Sequence, residues 1–184
     1  MTHSSTPLDI DIRPMRLDEV EKSLALIHKS IRVLSTQSYS PDIIEKIVRL
    51  YEKPNSLFGI IFVAEYESQL VGVAAAQFYL GRGNINAVFT HPEFTYNGIG
   101  RRLVQSLEKS AIENDIKVMT VLSSLTAVNF YQTLGYDYKG ETTVDGKIPC
   151  VRLKKQLKPL TIQDRMQQGV LSGLVVVIMV IIFL

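Results

Sequence analysis

A glycine-rich turn between an apolar segment and a helical pattern constrains the fold of this chain more than any other feature. The apolar run Ile85–Phe89 is followed by a turn that contains Gly98 and Gly100, and a helical pattern begins at once, with Arg101 in its first turn. The first N–H groups of a helix have no intrahelical partner and lie at the positive end of the helix dipole. The sequence therefore predicts a strand, turn and helix that direct free N–H groups toward an anion.

A second motif runs from Thr126 to Tyr136, where a short helical pattern carries Phe130 and Tyr131 and is broken at Gly135. Together with the stretch His91–Leu103, it resembles the pyrophosphate loop and terminal segment of the GNAT superfamily of acyl-coenzyme A-dependent N-acyltransferases. Each stretch alone is a common pattern. Their order and spacing within one chain carry the resemblance.

Hydrophobic periodicity and turn residues predict the order β-α-α-β-β-β-α-β-α-β-β. The predicted elements are a strand at Leu8–Pro14, helices from Asp18 to about Leu34 and from Ser40-Pro41, strands at Ile60–Glu65, Leu70–Tyr79 and Ile85–Thr90, a turn at Gly81–Asn84, a helix from Gly98 to about Asn114, a strand at Lys117–Leu122, a helix at Thr126–Leu134, and a hairpin of Tyr136–Val144 and Ile148–Leu157. This order is that of the GNAT fold, an α/β fold with a mixed, mostly antiparallel sheet flanked by helices. The resemblance implies an N-acetyltransferase domain in residues 1–157, followed by a linker at 158–168 and an apolar helix at 169–184.

The resemblance implies a binding site for acetyl-CoA, the acyl donor. In relatives, backbone groups on the fourth strand bind the pantetheine arm, the loop N–H groups bind the pyrophosphate, and a residue after the fifth strand contacts the cofactor. The matching residues are Val88, Phe89 and Thr90 for the arm, Tyr96, Asn97, Gly98, Ile99, Gly100 and Arg101 for the pyrophosphate, and Ser124. The family's loop pattern begins with Arg or Gln, and this chain departs from it with Thr95.

Tyr131 is the predicted catalytic residue, because the matching tyrosine in the family is the usual donor of a proton to the leaving thiolate. A phenol has an ordinary pKa near 10, close enough to that of a thiol for this role. The fourth strand carries Asn84 and Asn86 where many relatives have a glutamate, so no general base is identified. His91 and a water chain through Asn86 and Ser123 are alternatives, as is an amine that is already neutral.

The implied reaction moves an acetyl group from acetyl-CoA to an amine of a small molecule or protein that the sequence does not name. Tyr39, Gln77 and Tyr79 are the predicted contacts of this acceptor. The alternative is a non-catalytic acyl-CoA-binding sensor or a membrane-tethered interaction module. The missing carboxylate and Thr95 favour the alternative, and Tyr131 favours the enzyme.

Charge and composition argue against several other classes of protein. The chain has 20 basic and 18 acidic residues, a net charge of +2, so nothing indicates a nucleic-acid partner. The lone Cys150 cannot form an intramolecular disulfide. The three histidines are far apart in sequence, and no metal site is predicted.

The C-terminal region departs from the rest of the chain, because no charged residue occurs from Met166 to Leu184. As a helix this segment would span about 28 Å at ~1.5 Å per residue, close to the thickness of a hydrocarbon core. Basic residues precede it, namely Lys154, Lys155, Lys158 and Arg165. We therefore expect a membrane anchor at 169–184 with the catalytic domain on the cytoplasmic side. A soluble cytoplasmic protein that buries this helix in an oligomer interface or in a groove of its own domain is the alternative, and the oligomeric state is not predicted.

Overall fold

The computed structural model describes residues 8–158, which contain seven strands and four α-helices. In chain order these are β1 Asp11–Pro14, α1 Val20–Leu34, α2 Pro41–Arg49, β2 Ile60–Tyr66, β3 Gln69–Tyr79, β4 Arg82–Thr90, α3 Ile99–Glu113, β5 Val118–Ser123, α4 Val128–Thr133, β6 Asp137–Val144 and β7 Ile148–Gln156. The element order predicted from the sequence is confirmed.

All seven strands form one sheet in the order β1-β2-β3-β4-β5-β7-β6. Every neighbouring pair is antiparallel except β4 and β5, which are parallel. The crossover between these two parallel strands is helix α3, as a parallel connection requires. The expected mixed, mostly antiparallel sheet is therefore confirmed.

Helices cover both faces of the sheet, so its central strands are apolar on both sides. Helix α3 packs on one face through Ile99, Leu103 and Leu107, and α1 and α2 pack on the other. In β3, Gly72 has no side chain where a Cβ would lie 2.8 Å from Ile99 and 2.9 Å from Leu103. This glycine lets the first turns of α3 approach β3 closely.

Strands β4 and β5 are paired over only part of their length. Their register joins Arg82–Ile85 to Val118–Val121 and then ends. At the same point a bulge interrupts the β3–β4 ladder, because Ala75 pairs with Ala87 and Ala76 with Ile85, which leaves Asn86 as the extra residue. Beyond Asn86 the two strands separate, and the edge of β4 that would face β5 has no strand partner in the described sheet.

The first turn of α1 is preceded by a charged network that ties it to the sheet edge. The Arg13 guanidinium donates to both carboxylate oxygens of Glu19 at 2.9 and 2.6 Å and also to Glu65 on β2. Glu19 additionally accepts the N–H of Arg16 at 2.8 Å. These contacts lower the pKa of the Glu19 carboxyl to about 2. The hydrogen bonds from Arg13 are the main cause, and burial acts in the opposite direction.

Two strands begin three residues away from the positions expected from the sequence. β1 begins at Asp11 rather than Leu8, and β4 begins at Arg82, inside the predicted turn Gly81–Asn84. The β3–β4 hairpin turns on Leu80 and Gly81 alone, with φ of 46° and 73°. A two-residue turn with both φ values positive matches strand twist, and it lets Arg82 continue at once as β4.

The expected C-terminal helix at 169–184 lies outside the described residues, as does the linker from residue 159 onward. Those assignments therefore remain predictions. Within residues 8–158, no helix combines the length and apolarity that crossing a bilayer requires.

Candidate functional site

A cavity of about 290 Å³ opens where β4 and β5 separate. Its walls come from the splayed ends of the two strands, from α1, α2 and the β6–β7 hairpin, and from α4. Val88, Phe89, Ser124 and Tyr131, four of the residues expected at the site, line it. The side chains of Val88 and Phe89 belong to the cores on opposite faces of the sheet, so any contact with a ligand from this segment would fall to their backbone.

The glycine-rich turn forms the start of α3, as the sequence predicts. Tyr96 and Gly98 adopt left-handed φ values of 64° and 74°, and the helix begins at Ile99. The first helical hydrogen bond is from the N–H of Arg102 to the carbonyl of Gly98 at 3.1 Å. Across the described chain, no backbone N–H from Tyr96 to Arg101 donates a hydrogen bond. Six consecutive donors at a helix N-terminus are thus available to an anion.

The turn is held in shape by its own polar side chains. The Thr95 hydroxyl donates to the carbonyl of Pro92 at 3.0 Å, and the Asn97 amide donates to the carbonyls of Phe94 and Thr95 at 3.3 and 3.2 Å. The departure from the family pattern at Thr95 therefore exchanges a long side chain for one that braces the turn internally.

The two arginines at the start of α3 have different roles. The Arg102 guanidinium donates to the carbonyl of Ile10 at 2.6 Å, which ties α3 to the segment before β1. Arg101 is exposed beside the free N–H groups. Of the two arginines, Arg101 is therefore the one whose charge can act on a pyrophosphate at the predicted site.

The two sequence motifs meet at Gly100. A Cβ at this position would lie 3.3 Å from Cζ of Phe130 and 3.7 Å from Oγ1 of Thr90. Phe130 in turn packs edge-on against Tyr131, with ring centroids 5.0 Å apart. The helix N-terminus, the end of β4 and the phenol-bearing helix are thus joined by direct contacts.

Tyr131 is a buried phenol in the wall of the cavity. Its side chain is 4% exposed and packs edge-on against Tyr136, with ring centroids 5.5 Å apart. Burial, with a smaller contribution from Tyr51, raises the pKa of Tyr131 above its ordinary value. The group is therefore neutral and carries its proton throughout the physiological pH range. No hydrogen bond of its hydroxyl is present within the described residues, so this proton is not committed to a protein acceptor.

Tyr51 is a second phenol in the cavity that sequence reasoning missed. Its hydroxyl donates to the backbone carbonyl of Asn86 at 2.6 Å, at the bulge, and its ring packs edge-on against Phe89. Burial raises the pKa of Tyr51 to about 12. Tyr51 follows the end of α2 in an irregular turn, and no periodic pattern marks such a position as facing the sheet.

Asn86 contributes the one unusual polar group of the lining. Its amide nitrogen donates to the carbonyl of Phe58 at 3.4 Å, a long contact, while its Oδ1 is buried without a hydrogen-bond partner among the described residues. A buried acceptor without a donor is costly, by about 1–3 kcal/mol. The bulge thus holds a buried acceptor without a partner beside the cavity.

Tyr39, the first predicted acceptor contact, closes the other side of the cavity. Its hydroxyl donates to the carbonyl of Pro149 on β7 and accepts the N–H of Leu125, both at 2.8 Å. These two bonds join the α1–α2 loop to β7 and to the segment after β5. Gln77 and Tyr79, the other two predicted contacts, do not line the cavity; they lie near the β3–β4 turn, where Tyr79 is exposed.

No general base is found in the cavity lining, where the described residues include no carboxylate, histidine, lysine or arginine. His91 is buried rather than exposed, and its Nε2 lies 3.0 Å from Nζ of Lys29. Burial and then the lysine charge lower the pKa of His91. It packs against Phe94 and is not among the described residues that line the cavity.

Comparisons with known proteins bear on the family and the fold of the chain. The sequence model of a family described as an acetyltransferase (GNAT) domain matches residues 38–157. The uncharacterised N-acetyltransferase YafP of Escherichia coli is 25% identical over 146 residues, which cover 77% of this chain and 88% of that protein.

Solved structures show the same fold. The GCN5-related N-acetyltransferase from Rhodopseudomonas palustris superposes with a TM-score of 0.72 at 22% identity, covering 85% of this chain and 99% of that one. The PaiA N-acetyltransferase of Thermoplasma acidophilum, solved in complex with coenzyme A, has a TM-score of 0.69 at 18% identity and covers 81% and 99%.

Proposed function

Because the chain belongs to the GNAT acetyltransferase family, we propose that it transfers an acetyl group from acetyl-CoA to an amine in the cleft between β4 and β5. The chain is an N-acetyltransferase. What we propose is the acyl donor, the binding site and the residue that protonates the leaving thiolate. The observation that carries it is the contact of Gly100 with Phe130, which joins a row of free N–H groups to a buried neutral phenol.

The pyrophosphate is assigned to the turn Tyr96–Arg101. Six N–H donors without partners, the dipole of a helix with 15 residues and the Arg101 charge all favour an anion there. A Cβ at Gly98 would meet no atom within 4 Å, so the space above this residue is open to a ligand.

The pantetheine arm is assigned to the unpaired edge of β4, along Val88, Phe89 and Thr90. The arm contains amide groups, and an extended amide chain can add to a sheet edge as a strand does. Ser124, half-buried across the cleft, offers a hydroxyl whose only described hydrogen bond is a 3.3 Å contact with Thr126.

Acetyl-CoA supplies the acetyl group as a thioester, whose carbon–sulfur bond breaks as a carbon–nitrogen bond to the amine forms. Tyr131 holds the proton that the leaving sulfur needs, and its raised pKa keeps that proton in place until transfer. The phenol recovers a proton from solvent, and the amine loses one. Edge-on packing against the rings of Phe130 and Tyr136 holds the Tyr131 ring in place.

The test of this proposal measures binding and turnover separately. Calorimetry with acetyl-CoA should show binding at a single site, and mass spectrometry of an amine panel should detect a product heavier by one acetyl group. Binding without any acetylated product would favour the acyl-CoA-binding sensor instead, an alternative that the absence of a carboxylate or histidine in the described lining supports.

A membrane anchor at residues 169–184 forms the second part of the proposal. It is supported by the uncharged run from Met166 to Leu184 and by the basic residues that precede it. Such an anchor would hold the catalytic domain at a cytoplasmic membrane surface, where amines that partition into lipid are concentrated.

A further inference from the structure

We infer that the acceptor is a small apolar amine, with a hydrophobic body and no second charge. This inference rests on the proposed function, because it names the substrate class of the same cleft. It follows from the part of the cavity lining that lies on the side of α1, α2 and the β6–β7 hairpin, away from the free N–H groups.

That part of the lining is made of aliphatic side chains. Ile31 comes from α1, Ile47 and Leu50 from the end of α2, and Val144 and Ile148 from the hairpin. Burying a methylene group of a ligand against such a surface is favourable, by about 0.8 kcal/mol for each group. Apolar carbon atoms of an acceptor therefore strengthen its binding to this wall.

Charged acceptors find no partner on this wall. None of the described residues that line the cavity carries a charge, and placing an ammonium or carboxylate there would remove its water without replacing it. A diamine, an aminoglycoside or a free amino acid would each carry at least one charge beyond the reacting nitrogen. The chemistry of the wall thus excludes these classes.

The two phenol hydroxyls of this region are already bonded. Tyr39 donates to Pro149 and accepts from Leu125, and Tyr51 donates to Asn86. Neither phenol is therefore free to donate a hydrogen bond to a polar acceptor.

The experiment compares pentylamine with 1,5-diaminopentane, two amines that differ only in a second terminal amino group. With saturating acetyl-CoA, we expect kcat/KM for pentylamine to exceed that for the diamine about tenfold or more. Across propylamine, butylamine and pentylamine, kcat/KM should rise about fourfold with each methylene. Equal values for pentylamine and the diamine, or a preference for the diamine or for a peptide amine, would overturn the inference.

A variant pair tests the wall itself. Leu50 lines the cavity and Leu34 does not, and the two side chains are similarly exposed, at 39% and 37%. Leu50→Asp should shift the preference toward 1,5-diaminopentane, because it supplies a carboxylate for the second ammonium. Leu34→Asp should leave the ratio near that of the wild type, and an equal shift in both variants would count against the assigned wall.

Failure of the inference is distinguishable from failure of the proposed function. Acetylation of charged amines alone would leave the function intact and overturn the inference. If no amine is acetylated, calorimetry of each amine into the CoA-saturated protein still compares them. Tighter binding of pentylamine would then support the apolar pocket while the catalytic proposal fails, and binding of the diamine that is as tight or tighter would overturn the pocket.

Discussion

The ring of Phe130 lies against the backbone of Gly100, so close that a Cβ on the glycine would sit 3.3 Å from Cζ of the ring. This contact crosses from α4 to the start of α3 and leaves the N–H groups of the turn facing open space. It also holds Phe130 edge-on to Tyr131. One packing contact thus links the position of the anion site to the position of the phenol.

Replacement of Gly98 by a larger residue should weaken binding of the acyl donor. Its φ of 74° is unfavourable for a β-branched residue, and the new side chain would stand in the open space above the turn. We expect Gly98→Val to weaken acetyl-CoA binding about tenfold or more, which corresponds to about 1.4 kcal/mol, in calorimetric titrations.

Gly81 provides the matched control, because its φ is 73° and its Cβ position is equally open, but it lies in the β3–β4 turn. Gly81→Val should lose a similar amount of stability in urea unfolding and keep the affinity of the wild type. An affinity that falls equally in both variants would mean that strain, and not the ligand, accounts for the effect.

Removal of the Tyr131 hydroxyl should slow the reaction without loss of the donor. In Tyr131→Phe the ring packing against Phe130 is kept, so acetyl-CoA affinity should hold, while kcat falls roughly 10²-fold. Steady-state rates with the best amine of the panel measure this.

Tyr136→Phe is the control for this change, because the Tyr136 ring packs on Tyr131 but is not among the described residues that line the cavity. The substitution keeps this ring contact, so the rate should stay near that of the wild type. Equal rates in Tyr131→Phe and the wild type would show that Tyr131 is a packing residue only.

The order of elements was predictable because the spacing of apolar residues within each segment indicates whether it forms a helix or a strand. The apolar stripe of α1 and the alternation in the strands are local, and the Asp145-Gly146 turn appears as expected, with φ of 50° and 66°. The start of β4 was mispredicted because Gly81 and Gly83 both resemble turn residues. Gly83 instead sits in the strand, where a Cβ would lie 2.2 Å from the sulfur of Met119.

The cleft was only partly predictable, because its chemistry depends on contacts between distant segments. The free N–H groups follow from the turn sequence, but the bulge at Asn86 and the position of Tyr51 beside it depend on strand register and on the packing of α2. Arg101 and Arg102 are neighbouring basic residues, and the sequence does not show that Arg102 bonds to the protein itself. Its bond to Ile10 spans 92 positions, and no local pattern encodes it.

The ion-pair network at Glu19 should make the protein sensitive to acid. Because the folded-state pKa of Glu19 is about 2 and its ordinary value is 4.5, its contribution to stability is fully present above pH 4.5 and is lost as the pH falls toward 2. The shift corresponds to about 3 kcal/mol. Urea unfolding at pH 7 should therefore show Glu19→Gln less stable than the wild type by about 2–3 kcal/mol, with the gap closing in acid.

Glu21→Gln is the control for that measurement, since Glu21 is exposed at the start of the same helix. It should change stability by less than about 0.5 kcal/mol at either pH. A difference between Glu19→Gln and the wild type that stays constant from pH 7 to pH 3 would contradict the assigned charge interaction.

The proposed membrane anchor predicts where the protein is found after cell lysis. The full chain should sediment with membranes and need detergent for release, while a chain ending at Leu157 should stay in the supernatant and still bind acetyl-CoA. The reason is that an uncharged segment such as 169–184 is stable within hydrocarbon, where its backbone groups can bond within a helix.

Two double substitutions to arginine distinguish a membrane anchor from an apolar interface between subunits. Val176→Arg with Met179→Arg places charge in the middle of the segment, where each arginine costs about 2.5–3.5 kcal/mol on insertion scales, and should release the protein. Gly169→Arg with Val170→Arg places the same charge at its beginning, where long side chains reach the membrane surface, and should leave it bound. Recovery of the unmodified full chain as a detergent-free oligomer would instead assign the segment to an interface between subunits, because burial between protein copies would then satisfy its apolar side chains.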